Sequence, residues 1–240
     1  MTADRWAHAV RQQVGLGRFL PLGGPRDGAW ITERAAEAVL RHTAARGVPG
    51  VRLDGVRIAL ADPDRADEPV VPPPPSALPP GALRLTAEFA ATAAQPLPAT
   101  ASRLRAALAD AAAERLGLSV AEVDLRATEL LDEEPPPAPP AAPAEPAPGP
   151  AGASGDPEAG RVAVVVLAVP GVTRLTGATG RPVQLTERPG GAALPRRHAR
   201  VDLAVRADHR ALDVARAVRT AVSEALPDRP TVAVLVTAVD

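Results

Sequence analysis

Four histidines, His8, His42, His198 and His209, are the side chains in this sequence best suited to proton transfer near neutral pH or to ligating a metal. No two of them stand at the spacing that would put a metal-binding pair on one helix face, so no metal or other cofactor is expected. His42 falls on an apolar helical stripe and reads as a core or rim residue. His209 follows Asp208 directly, but no nucleophile with its own local context accompanies them, and a structural cap is the expected role. The acids Asp132-Glu133-Glu134 read as a solvated element end, because paired carboxylates for acid–base work need burial and convergence. Arg196-Arg197 with Arg200 forms a small basic cluster, read as a solvated turn. The chain has no Cys, which removes thiolate chemistry, disulfides and Cys-ligated zinc. No residue is assigned a catalytic step, and an enzyme is not expected.

Two glycine motifs belong to binding rather than catalysis. Gly15-Leu16-Gly17 follows no strand, so it is not a dinucleotide fingerprint. Gly177-Ala178-Thr179-Gly180 resembles the GxxG loop with which KH domains clamp a nucleic-acid backbone. That loop joins two helices, whereas this one leads into Arg181-Pro182.

The elements that would position such groups are written in an aliphatic alphabet. Apolar residues make up 46% of the 240 positions, aromatic ones only 2%, and there is no Tyr. All 27 basic residues are Arg, a usage typical of a GC-rich genome, and 28 acids balance them to a net charge of −1. No overall field therefore recruits nucleic acid or an anionic membrane. No apolar run approaches the ~20 residues of a membrane span, and the N-terminus lacks the basic-then-apolar order of a signal peptide. A cytoplasmic protein is expected.

A repeated phrase organises the chain. Val48-Pro49-Gly50-Val51 returns as Val169-Pro170-Gly171-Val172, each after a helix-compatible segment. Arg84–Ala90 then answers Arg200–Arg206 as an alternating strand, and Leu104–Leu116 answers Ala215–Leu226 as an amphipathic helix. The expected fold class is α+β: two similar αββαβ modules, each a small sheet with helices on one face, joined by a Pro/Ala-rich linker. Residues 1–29 form a preface with an N-terminal helix and an apolar strip. Residues 30–133 form module one, with a Pro-rich loop at 62–81 that should project between two strands. Residues 134–155 form a disordered linker reaching up to about 60 Å when extended, and residues 156–240 form module two.

Within module one, Thr32 is a candidate N-cap, and Ala35, Ala38, Val39, His42 and Ala45 make a stripe ending at Gly47. In module two, Val162–Leu167 has strand composition. Asp156-Pro157-Glu158 is nonetheless a strong helix start, and the repeat also asks for a helix. In the preface, Trp6, Val10, Phe19, Leu20 and Leu22 are the candidate partner-binding residues; the alternative is that they simply pack on module one.

This order of elements resembles the alkaline shock protein family of the envelope stress response. Ile31-Thr32-Glu33-Arg34-Ala35-Ala36 through Val51 matches that family's opening, and Leu83–Leu130 matches the remainder. Asp156–Asp240 repeats the pattern with a shorter front. The proline-rich insertion and the tandem arrangement depart from the family's single compact unit. The resemblance implies a non-enzymatic scaffold or adaptor in bacterial cell-envelope homeostasis or stress response. It would bind a membrane-anchored partner or sibling modules, forming homo- or hetero-oligomers, and would reach the membrane periphery through that partner. The alternative is a KH-like nucleic-acid-binding protein. Sheet edges that accept a partner's strand are the expected contact surfaces.

Overall fold

A computed structural model describes residues 17–135, 156–178, 180–188 and 196–240. The fold is α+β. Strands β1 (Phe19–Leu22) and β2 (Ala29–Thr32) precede helix α1 (Glu33–Gly47), β3 (Val51–Leu60), β4 (Leu83–Thr92), α2 (Leu97–Asp110) and β5 (Val120–Leu131). Next come α3 (Pro157–Leu167), β6 (Val172–Leu175), β7 (Val183–Arg188), β8 (Arg196–Val205), α4 (Ala211–Ala225) and β9 (Thr231–Val239).

Local chemistry sets the helix starts. Thr32 Oγ1 accepts from the Ala35 amide at 3.2 Å, capping α1. Asp156 accepts from the Glu158 and Ala159 amides, with Pro157 in the first turn, so α3 forms despite its valines. The repeated phrase does the same work twice. Val48 and Val169 are buried at helix ends, and Gly50 (φ 75°) and Gly171 (φ 91°) turn the chain into β3 and β6. Each glycine carbonyl then accepts from the far end of a central strand, Gly50 from Thr92 N at 2.9 Å and Gly171 from Arg206 N at 2.8 Å.

Two sheets result. In the smaller, β3-β4-β5, the centre is antiparallel to β3 and parallel to β5. In the larger, β6 and β7 both pair antiparallel with β8, which runs parallel to β9. Both therefore hold a central strand with antiparallel pairing on one side and a parallel strand on the other, although in the larger sheet the antiparallel side is split into β6 and β7. The pairings Arg84–Glu122 and Arg200–Ala233 fall at matching stations.

The described part of the preface joins the larger sheet and also touches module one. β1 and β2 form a hairpin whose second strand lies parallel to β9, Ala29 opposite Val234 and Ile31 opposite Val236. The boundary expected at 29/30 thus cuts through β2. A single apolar core runs from the inner face of one sheet through the four helices to the other. Helix α1 packs on both β3 and β9, and this double contact rotates its buried face to Ala35, Ala36, Val39, Leu40 and Ala44. His42 and Ala45, expected on the apolar stripe, are exposed.

The proline-rich loop does not project. It folds back over the outer face of the larger sheet, where Val71 joins Phe19, Trp30, Ala233 and Leu235 in a second buried cluster. Leu78 N donates to Phe19 O, Trp30 Nε1 to Leu78 O, and Val70 N to Pro25 O. Prolines cannot join the ladder, but the residues flanking them can.

The halves also meet at Gly117 (φ 89°), after α2 widens into a π turn over Ala111–Leu116. A Cβ there would lie 2.4 Å from Leu212 Cβ, and Gly117 O accepts from Gly23 N at 3.0 Å. Arg115 reaches Ala207 O, while Arg210 reaches back to Ala113 O.

Candidate functional site

The smaller sheet is finished differently on its two faces. Alternation sends Val51, Leu53, Ile58, Leu83, Leu85, Ala87 and Phe89 inward to the core. It sends charged residues outward, where they form a lattice of exposed ion pairs. Arg52 Nε lies 2.6 Å from Asp54 and Arg52 Nη2 2.8 Å from Glu129, while Arg84 Nε lies 2.6 Å from Glu122. Arg84 sits a looser 3.7 Å from Asp124, and Arg126 lies 3.6 Å from Glu88. Hydrogen bonds to Asp54 and Glu129, and to Glu122, hold the Arg52 and Arg84 protons more tightly than usual. Such pairs are water-screened and add little stability.

This sheet has two edge strands, β3 and β5. Among the described residues β5 pairs with β4 alone, at ten of its twelve positions, with Ala121 and Thr128 left in bulges. Its core-side residues are incompletely covered: Val123 and Leu125 are half-buried, and Leu130 is 59% exposed. Arg105 Nε, from α2, donates to Val123 O at 3.1 Å and occupies one edge carbonyl. A long edge with partly bare apolar residues can take a further strand.

A shallow cleft on α4 is lined by Arg216, Arg219, Thr220, Ser223, Glu224 and Arg229. Arg216 holds Asp27 with two hydrogen bonds of 2.8 and 3.0 Å, tying α4 to the β1–β2 turn. Burial raises the Asp27 pKa, but the Arg216 and Gly24 hydrogen bonds and the charges of Arg216 and Arg219 outweigh it and hold the carboxyl below its ordinary value. Burial lowers the pKa of Arg219, whose guanidinium donates to Val232 O and Arg26 O.

The residues singled out by sequence do not converge. Phe19, Leu20 and Leu22 are wholly buried in β1, because the hairpin completes the larger sheet. They therefore serve the fold and offer no surface to a partner. Trp6 and Val10 lie outside the described residues. His198 Nδ1 lies 2.9 Å from Thr231 Oγ1, and His209 Nδ1 lies 2.7 Å from Asp208, whose carboxyl is held low by Arg206 and then by His209. Two members of the basic cluster have internal partners: Arg197 pairs with Glu158 and Asp228, and Arg200 with the buried Asp202. Gly177 and Gly180 lie between β6 and β7, with no helix on either side. Among the described residues no group of three His, Asp or Glu side chains could hold a metal ion. None of their helices is long and apolar enough to cross a membrane. Sequence alone had offered one signal for β5, the alternation of Val123, Leu125 and Ala127 with Glu122, Asp124 and Arg126. It could not say that, among the described residues, β4 is the sole strand pairing with it.

No protein-family model, curated protein or solved structure matches this chain.

Proposed function

We propose that this protein is a non-enzymatic scaffold or adaptor that works by strand addition at β5. Its setting is bacterial cell-envelope homeostasis or stress response, where it binds a membrane-anchored partner or sibling modules. The observation that carries the reading is the twelve-residue edge of the smaller sheet, paired on one side only and apolar on its core side. Main-chain hydrogen bonds along such an edge supply affinity, and alternate side chains supply choice of partner. The envelope setting rests on the likeness of the αββαβ order to the alkaline shock protein family.

A fluorescent fusion of the full chain in its host tests this. The reading expects a signal at the cell rim that becomes diffuse in Leu125→Pro, a variant that blocks the edge, provided circular dichroism shows the variant folded. A diffuse signal for the unaltered chain contradicts it. The rival KH-like reading draws on the Arg216, Arg219 and Arg229 cleft, whose charge Asp27, Asp213 and Glu224 offset only in part. A gel-shift titration against salt separates the two, since nucleic-acid affinity that falls steeply with salt favours the rival.

A further inference from the structure

We infer that the strand added at β5 is β5 of a second copy of this chain, giving a two-fold dimer with one continuous six-stranded sheet. This rests on the strand-addition reading and names the occupant. A two-fold interface must be self-complementary, with each residue meeting its own image or a residue that meets it in return.

Every antiparallel register of β5 on itself meets that condition, and among the neighbouring ones the charges favour the register centred on Leu125. With Leu125 opposite Leu125, the charge-bearing outer face sets Asp124 opposite Arg126 twice. Glu122 then faces Thr128. On the core side Val123 meets Ala127 and Val120 meets Leu130, which covers the side chain left 59% exposed. Sliding by one pair in either direction sets Asp124 against Asp124 or Arg126 against Arg126, and like charges directly opposite each other are destabilising. Asp124 and Arg126 are also free to re-pair. They are 63% and 77% exposed, and their present partners lie at 3.7 and 3.6 Å, the loosest contacts on that face. The two bulges of the strand, beside Ala121 and Thr128, are symmetric about this axis to within a residue and keep both ends in phase. Arg105 must release Val123 O, an exposed hydrogen bond of small net worth.

The purified full chain supplies the test, because it contains no Cys. Residues at the axis sit about 4.5–5.5 Å apart between Cα atoms, within the span of a disulfide. Leu125→Cys is therefore expected to oxidise to a covalent dimer, and Glu88→Cys, on the neighbouring strand, to remain monomeric. Sedimentation velocity of the unaltered chain should show a monomer–dimer equilibrium. Arg126→Asp should weaken it at least about ten-fold, since two attractive pairs become repulsive. The swap Asp124→Arg with Arg126→Asp should restore it, with circular dichroism confirming the fold of each variant. The proposal is overturned if the unaltered chain stays monomeric at its highest soluble concentration. It is equally overturned if Leu125→Cys gives no covalent dimer, or if Arg126→Asp leaves association unchanged. None of these results bears on the cell-rim signal, so failure of the dimer leaves the adaptor reading to its own experiment.

Discussion

Asp124 and Leu235 occupy matching stations on the second strand of each sheet's helix-linked parallel pair. Asp124 lies opposite Thr86 on the last strand of the smaller sheet, and Leu235 lies opposite Asp202 on the last strand of the larger. Asp124 faces water, whereas Leu235 is wholly buried beneath Val71, Phe19 and Trp30. The difference comes from what each sheet was given beyond that pair. The larger sheet receives the β1–β2 hairpin on the edge beyond β9 and the proline-rich loop over its outer face. The smaller receives neither, so its outer face carries charge and its last strand stays at an edge. Connectivity alone therefore does not decide which surface binds; the added segments do.

Exchanging the residues at that station breaks the comparison with the largest effect. Leu235→Asp buries a carboxylate with no partner and should cost more than about 4 kcal/mol, enough to unfold a marginal domain. Asp124→Leu should change stability by no more than about 0.5 kcal/mol. Urea denaturation with circular dichroism reads both. Gly117→Ala comes next, at about 2–5 kcal/mol, because the residue has φ 89° and its new Cβ would meet Leu212. Combining it with Leu212→Ala should recover the part due to that contact, as a double-mutant cycle would show.

Asp27→Asn sharpens the contrast at lower cost, about 1 kcal/mol at neutral pH, since it loosens the hairpin that closes the larger sheet. The folded chain holds the Asp27 carboxyl below its unfolded value. Its contribution is therefore complete above the ordinary carboxylate pKa and fades as pH falls through the lower folded value. The gap in melting temperature between the two proteins should narrow below about pH 4 and close in stronger acid. Smallest of all is Arg84→Ala on the open face, at about 0–1 kcal/mol and less still in high salt.

Much of this fold could be read from local chemistry. Asp156-Pro157-Glu158 outweighed the strand composition of Val162–Leu167 because a satisfied N-cap acts where the helix must nucleate. The two Val-Pro-Gly-Val phrases marked the two helix-to-strand joints, since only glycine turns there cheaply. What escaped was long-range. Phe19-Leu20-Pro21-Leu22 is as apolar as a docking strip, and nothing within it says that its hairpin partner β2 will carry it onto β9, some two hundred residues later. The prolines at 72–75 correctly excluded a ladder strand, but Val71, one apolar residue beside them, pins the loop across the sheet. The buried stripe of α1 was displaced because periodicity alone assumes one covered face, whereas α1 touches both sheets. The candidate site was least legible, because an edge is defined by the absence of a neighbouring strand, which no local pattern encodes.

The outer face of the larger sheet is closed, and that of the smaller is open. Thiol labelling of the otherwise Cys-free chain tests this at matched stations, Glu122→Cys on β5 and Ala233→Cys on β9. Glu122 is exposed and Ala233 has no accessible surface. A maleimide should therefore modify Glu122→Cys at the rate of a free thiol and leave Ala233→Cys protected until the chain is unfolded in urea. Equal labelling rates at the two positions in the folded protein would contradict it.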